Sequence, residues 1–211
     1  VAPDLLQIQL YVETEAVSAN DAQAQNAQVS NELFTKLKNL GIPDDKIQTS
    51  SYSVDVVEES NRTCDEDGYD CTWTYKTVGY KVVHRVEVEL EQLDKGGSVI
   101  DAASSTGNDQ TFVDSVTYTL KQTTRSELAK NLLQEAAVAA KAKAQRIADG
   151  LGVSLGNVLS ADENSYVNSY YSNRYESLTY AASDEPISSG TTLSPGEVDM
   201  SASVDVSYEI S

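Results

Sequence analysis

The chain has 211 residues, 15 Lys and Arg against 33 Asp and Glu, and a formal net charge of −18. Such an acidic surface repels a nucleic-acid backbone rather than neutralising it, so nucleic acid is excluded as a partner. No apolar run approaches the ~20 residues that a membrane-spanning helix needs.

Leu6, Ile8, Leu10 and Val12 alternate with Gln7, Gln9, Tyr11 and Glu13, the two-residue period of a strand with one wet face. From Ser18 the period lengthens. Ala22, Val29, Leu33, Leu37 and Leu40 fall at helical spacing, Asp21 sits near the positive end, and Gly41 with Pro43 closes a helix over residues 19–40. Residues 47–54 are β-branched and aromatic enough for a second strand.

Residues 58–77 are polar and acidic and contain the only two cysteines, Cys64 and Cys71, so they read as a protruding hairpin or loop. Two cysteines flanking a Gly-containing turn suit a hairpin disulfide in an oxidising compartment, against the alternative of two free thiols. Asp65, Asp67 and Asp70 are hard oxygen donors in this turn, but their spacing is not that of a calcium loop; a solvated turn is the competing reading. Asn61-Arg62-Thr63 is an N-glycosylation acceptor pattern.

From Gly79 a long strand places Tyr80, Val82, His84, Val86, Val88 and Leu90 in one row. His84 is the one histidine, so Ser-His or Cys-His catalysis would have to run through it; an apolar row favours a packed, hydrogen-bonded ring instead. A short helix over residues 93–106 follows, with Val99, Ile100 and Ala103 inward, Gly96-Gly97 weakening its start and Gly107 ending it. Phe112, Val116, Tyr118 and Leu120 then make a strand.

Thr124 and Glu127 have capping-box spacing, which starts a long helix at Thr124. Leu128, Leu132, Ala136, Ala140, Ala144 and Ile147 form its inner stripe, and Gly150 or Gly152 ends it; this helix is expected to organise the protein by covering the sheet. Leu155, Val158 and Leu159 form a short strand. Residues 164–192 turn to Asn, Ser, Glu and Tyr: Tyr166, Tyr170, Tyr171, Tyr175 and Tyr180 make either an adaptable contact surface or a variable loop resting on its own sheet edge. The last stretch alternates Val198, Met200, Ala202, Val204, Val206, Tyr208 and Ile210 with polar residues, one strand expected on the same sheet.

The order βαββαβαββ with one-sided strands implies an α+β fold, a mostly antiparallel sheet with helices on one face. Residues 1–211 read as one domain, with two lobes, carrying the cysteine insert and the Tyr-rich excursion. No residue set points to a cofactor or a resident metal.

Pro3-Asp4 opening a strand, Leu40-Gly41-Ile42 before Ile47-Gln48-Thr49-Ser50, Gly79-Tyr80, and Ile100-Asp101-Ala102-Ala103 before Gly107 resemble the SIMPL-domain family, long described as a domain of unknown function. So do the block running from Ala144-Gln145-Arg146-Ile147 through Gly152 to Leu155-Gly156-Asn157-Val158, and Pro195-Gly196-Glu197-Val198 near the end. The cysteine insert and the Tyr-rich excursion depart from the family pattern.

The resemblance implies an exported bacterial or archaeal protein, periplasmic or at the cell surface, from a family with a tendency to form ring-like oligomers, and it carries over no catalytic residue. Together with the residues it leads to a non-enzymatic structural or interaction protein acting as a homo-oligomer. The alternative is a surface module that binds a glycan or a protein through the Tyr-rich loop. The opening Val1-Ala2-Pro3, without Met, is expected to follow a processed start.

Overall fold

The protein is described by a computed structural model over residues 1–64, 67, 71–164, 170–171 and 190–211. Its strands are β1 (Leu5–Ala16), β2 (Ile47–Cys64), β3 (Cys71–Leu90), β4 (Thr111–Thr119), β5 (Leu155–Asn164), β6 (Tyr170–Tyr171), β7 (Val198–Asp199) and β8 (Ser203–Ile210). The helices are α1 (Ala19–Asn39), α2 (Gly96–Ser104) and α3 (Gln122–Leu151). This is the α+β, mostly antiparallel arrangement expected from the alternating strands. The chain divides into two compact units, one of Val1–Asp4, Tyr118–Tyr180 and Pro195–Ser211, the other of Leu5–Thr117 and Ala181–Ser194.

In the Leu5–Thr117 unit a four-stranded sheet has the order β2-β3-β1-β4. β1 pairs antiparallel with β3 without a register shift, from Leu6 opposite Leu90 to Ala16 opposite Tyr80. That uninterrupted register follows from the burial of one face, because a slip by one residue would turn every apolar side chain outward. Leu6, Ile8, Leu10, Val12, Val82, Val86 and Val88 are fully buried against Ala22, Leu33 and Leu37 of α1, with Val99 and Ala103 of α2 in the same core. Helix α1 starts where Ser18 Oγ accepts the Asp21 N–H, as an N-cap should.

The opposite face is polar but not bare. Gln7 and Gln9 donate to the Glu87 carboxylate across the β1–β3 pair, and Lys46 reaches Glu89 at 3.2 Å. Arg85 lies 5.5 Å over the Tyr11 ring, which stacks on Phe112 at 4.9 Å. Phe112 therefore belongs to the open face and not to the inner row; Thr111 takes the inside place, so this strand runs one residue out of the expected phase.

Of the two readings of the cysteine insert, hairpin or loop, it takes the hairpin. β2 and β3 continue as a paired ribbon to Cys64 opposite Cys71, and the two are joined by a disulfide with Cα atoms 4.0 Å apart. Closing so short a loop contributes on the order of 2–3 kcal/mol in the chain-entropy model. Described residues of the ribbon from Glu58 to Thr77 are exposed apart from the half-buried Cys71, so that contribution acts on the ribbon and not on the core. Replacing both Cys64 and Cys71 with Ser is expected to leave far-UV circular dichroism of the helices unchanged while speeding proteolysis between residues 58 and 77. Global unfolding of the double variant would show that the ribbon supports the core.

In the other unit, α3 packs on a two-stranded antiparallel sheet of β5 and β8. The last stretch of the chain thus lies on a sheet of its own and not on the four-stranded one, and β7 separates from β8 to pair with β6. Helix α3 begins at Gln122, before the expected capping box. Asp4, distant in sequence, ties down this end of the helix: its carboxylate accepts the Lys121 N–H and the Thr124 hydroxyl. Because the helix starts at Gln122, Thr124 is a residue of its first turn and not the N-cap that a box with Glu127 requires. Partial burial raises the Asp4 carboxyl, but these two hydrogen bonds and the Lys121 charge outweigh it and hold it below its ordinary value. At the far end the left-handed residue is Gly152, at φ 72°, and not Gly150.

Helix α3 does not organise the protein. Only Ala148 is buried along it; Leu128, Leu132, Ala136, Ala140 and Ala144 are not fully covered, and Ile147 is 54 % exposed. Its Ala, Leu, Lys, Gln and Glu content suffices for a long helix with modest packing, so strong periodicity here did not translate into a core.

Candidate functional site

Beneath α1 a polar seam crosses the apolar core. Asn26 is fully buried, and its side-chain amide donates to the carbonyls of Val12 on β1 (3.0 Å) and Val82 on β3 (3.5 Å). Ser30, one turn further along α1, contacts Asn26 Oδ1 at 3.3 Å and His84 Nδ1 at 2.9 Å. The other ring nitrogen, His84 Nε2, meets Thr49 Oγ1 of β2 at 2.9 Å. Phe34 and Tyr52 approach the imidazole edge-on at 5.8 and 5.4 Å. Thr14 adds a bond from its hydroxyl to the Ala22 carbonyl.

One proton arrangement satisfies every atom in this chain. Thr49 O–H donates to Nε2, Nδ1–H donates to Ser30 Oγ, Ser30 O–H donates to Asn26 Oδ1, and the Asn26 amide donates to the two strand carbonyls. The arrangement needs a neutral ring. Burial, which penalises the charged form, pushes His84 below its ordinary value of 6.5.

A serine beside a histidine can be a nucleophile and base, and the 2.9 Å contact meets that distance. Here both partners are closed off, Ser30 at 4 % exposure and His84 at 9 %, and the second ring nitrogen faces a threonine where a triad has a carboxylate. The group pins α1 and β2 onto β3. Asn26 and Ser30 were legible in principle: with Ala22, Val29, Leu33 and Leu37 they occupy the helical positions that face the sheet.

The lowered His84 value gives a signed expectation. Between the folded value and 6.5 the unfolded chain binds the extra proton, so the contribution of this group is complete above pH 6.5 and is lost as pH falls below it. Thermal unfolding of the native chain and of His84→Gln, compared from pH 7.5 to pH 5, should show the two Tm values converging as the pH drops. A constant difference would mean that the ring does not titrate differently in the two states.

The other residues singled out by sequence do not converge with this seam. Asn61 is exposed on β2, opposite Thr74, which donates to its carbonyl. Tyr170 and Tyr171 form β6, opposite Asp199 and Val198, whereas Tyr166, Tyr175 and Tyr180 lie outside the described residues. So do Asp65 and Asp70; Asp67 is exposed. Among the described residues no three His, Cys, Asp or Glu side chains are grouped to hold a metal, and no helix is long and apolar enough to cross a membrane.

The second candidate is a surface. In the unit containing α3, Ala137, Val138, Val158, Val204, Val206 and Tyr208 line a shallow apolar cleft of about 400 Å³ between the helix and the β5–β8 sheet. Val138 is 66 % exposed, Leu151 66 % and Leu159 69 %. Among the described residues of this unit, the buried aliphatic side chains are Leu120, Ala148 and Val198. An open apolar cleft of this kind on an otherwise polar surface is a feature of interaction sites.

A one-sided antiparallel sheet covered by helices and prolonged by a disulfide-closed ribbon defines the class, an α+β protein. The chain belongs to the SIMPL family, described as a protein of unknown function (DUF541), whose family model matches residues 1–208. No curated protein matches the chain.

Proposed function

We propose that this is an exported, non-enzymatic structural or interaction protein of the cell envelope or surface, and that it works as a homo-oligomer in which the α3–β5–β8 face is covered. The observation that carries the reading is the open apolar cleft of that unit, lined by Val138, Val158, Val204 and Val206, in a chain whose net charge would otherwise keep copies apart. The Cys64–Cys71 disulfide supports an oxidising compartment. The mutual hydrogen bonding of His84 and Ser30 supports a structural role for the one histidine.

Light scattering at several concentrations tests it. The native chain should exceed its monomer mass of 22.8 kDa, and Val138→Glu, which places a charge on an already exposed position, should shift the mass toward monomer with an unchanged circular dichroism spectrum. Removing residues 164–185 should leave assembly intact. A native chain that is monomeric throughout overturns the oligomer.

A further inference from the structure

β2 is the outermost strand in the order β2-β3-β1-β4, so among the described residues nothing pairs with its outer edge. Over residues 47–64 only Ile47 and Val57 are even half-buried, and Tyr52, Val54 and Val56 are 48 %, 39 % and 53 % exposed. Proteins blunt such edges with Lys, Pro or bulges inside the strand. β2 contains neither Lys nor Pro, and its register with β3 is broken only between Thr49 and Ser51 and between Val57 and Glu58. Between those breaks residues 51–57 form one regular segment whose middle residue is Val54.

We propose that β2 pairs antiparallel with β2 of a second copy of this chain, about a twofold axis at Val54; the proposal rests on the oligomer reading and names a contact within it. A twofold axis there sets Val54 opposite Val54, Tyr52 opposite Val56, Ser51 opposite Val57 and Ser53 opposite Asp55 of the second copy. The aromatic–β-branched and Val–Val pairs share one face and are the kind that stabilise strand pairs. No like charges meet, and the axis lies at the centre of the regular segment.

Electrostatics selects the same place. Two copies each at −18 repel, yet residues 47–57 carry one charged side chain, Asp55, which sits opposite Lys81 of β3. A self-complementary, weakly charged edge on a strongly charged protein fits a second copy better than an unrelated strand, because an isologous contact must match itself.

A residue on the axis faces its own copy at a Cα separation of ~4.5–5.5 Å, within disulfide range. A residue five places away is separated from its copy by about ten residues, ~33 Å. Val54→Cys should therefore give a covalent dimer on mild oxidation, at least ~tenfold more than Glu59→Cys gives. Peptide mapping should show the new thiol joined to the same position of the second copy, with the Cys64–Cys71 bridge left intact. Val54→Lys puts two ammonium groups face to face at an exposed position; it should raise the dissociation constant of the contact at least ~tenfold while circular dichroism stays native, whereas Val54→Thr should not. Equal cross-linking at positions 54 and 59, or an assembly indifferent to Val54→Lys, overturns the β2 contact and leaves the oligomer standing. A native chain that is strictly monomeric overturns both.

Discussion

Asn26→Ala is expected to destabilise the α1-covered sheet by about 2–4 kcal/mol, because it strips the side-chain donor from two strand carbonyls in a fully buried site and leaves Ser30 O–H without its acceptor. A net hydrogen bond is worth only ~1 kcal/mol, but an unpaired buried polar group costs its full desolvation, so the orphaned partners dominate the loss. Asn26→Asp should be worse still at neutral pH: it keeps the shape but aims a carboxylate at two carbonyl oxygens with no cation beside it. Urea unfolding midpoints with an unchanged m-value are the readout. A change below about 0.5 kcal/mol for Asn26→Ala would be surface-like and would remove the seam as a structural element.

The second large effect is expected at Gly97. A Cβ there would lie 1.8 Å from the carbonyl oxygen of Thr191, a separation that no side chain tolerates, so residue 191 and its neighbours must move. The segment is held at this place by Asp101, whose carboxylate accepts both the Thr191 N–H and its hydroxyl. Alanine in place of glycine would by itself favour the helix by up to ~1 kcal/mol. Displacing the segment is expected to cost about 1–3 kcal/mol, as overpacking usually does, and therefore to decide the sign. Gly97→Ala should lower the denaturation midpoint and expose the Thr191 amide to hydrogen exchange; Asp101→Ala should reproduce the exchange change with a smaller loss of stability. A stabilised Gly97→Ala would mean that the segment does not rest on α2.

Gly96 and Gly97 show where reading a chain locally goes astray. As helix residues they signal a weak start, and by propensity alone that is correct. Their reason lies far off in sequence: Leu6 and Leu193 pack against Gly96 and Thr191 crosses Gly97, so these are positions of close approach. Thr124 and Glu127 teach the same lesson in reverse. Their capping-box spacing is real, but the helix starts at Gln122, so Thr124 lies in its first turn and donates its hydroxyl to Asp4. Local sequence offered an N-cap, and a distant carboxylate holds that position as part of the helix instead.

Strand and helix identities in the Leu5–Thr117 unit were legible because one-sided burial writes its period into the chain, two for β1 and β3 and three to four for α1. Hence the antiparallel α+β class, the boundaries of α1 and the inward row from Val82 to Leu90 follow from residue order alone, as does a hairpin closed by Cys64 and Cys71. Partnership is decided in three dimensions. Periodicity states that a stripe is apolar, not how much of it is covered, so α3 could carry an unbroken pattern and still bury only Ala148. Nor does alternation name the neighbouring strand, which is why Ser203–Ile210 pairs with β5 and not with the four-stranded sheet. The His84 seam and the open edge of β2 likewise exist only once α1, β2 and β3 are brought together, since hydrogen-bond partners and sheet edges are properties of contact between segments and not of any one of them.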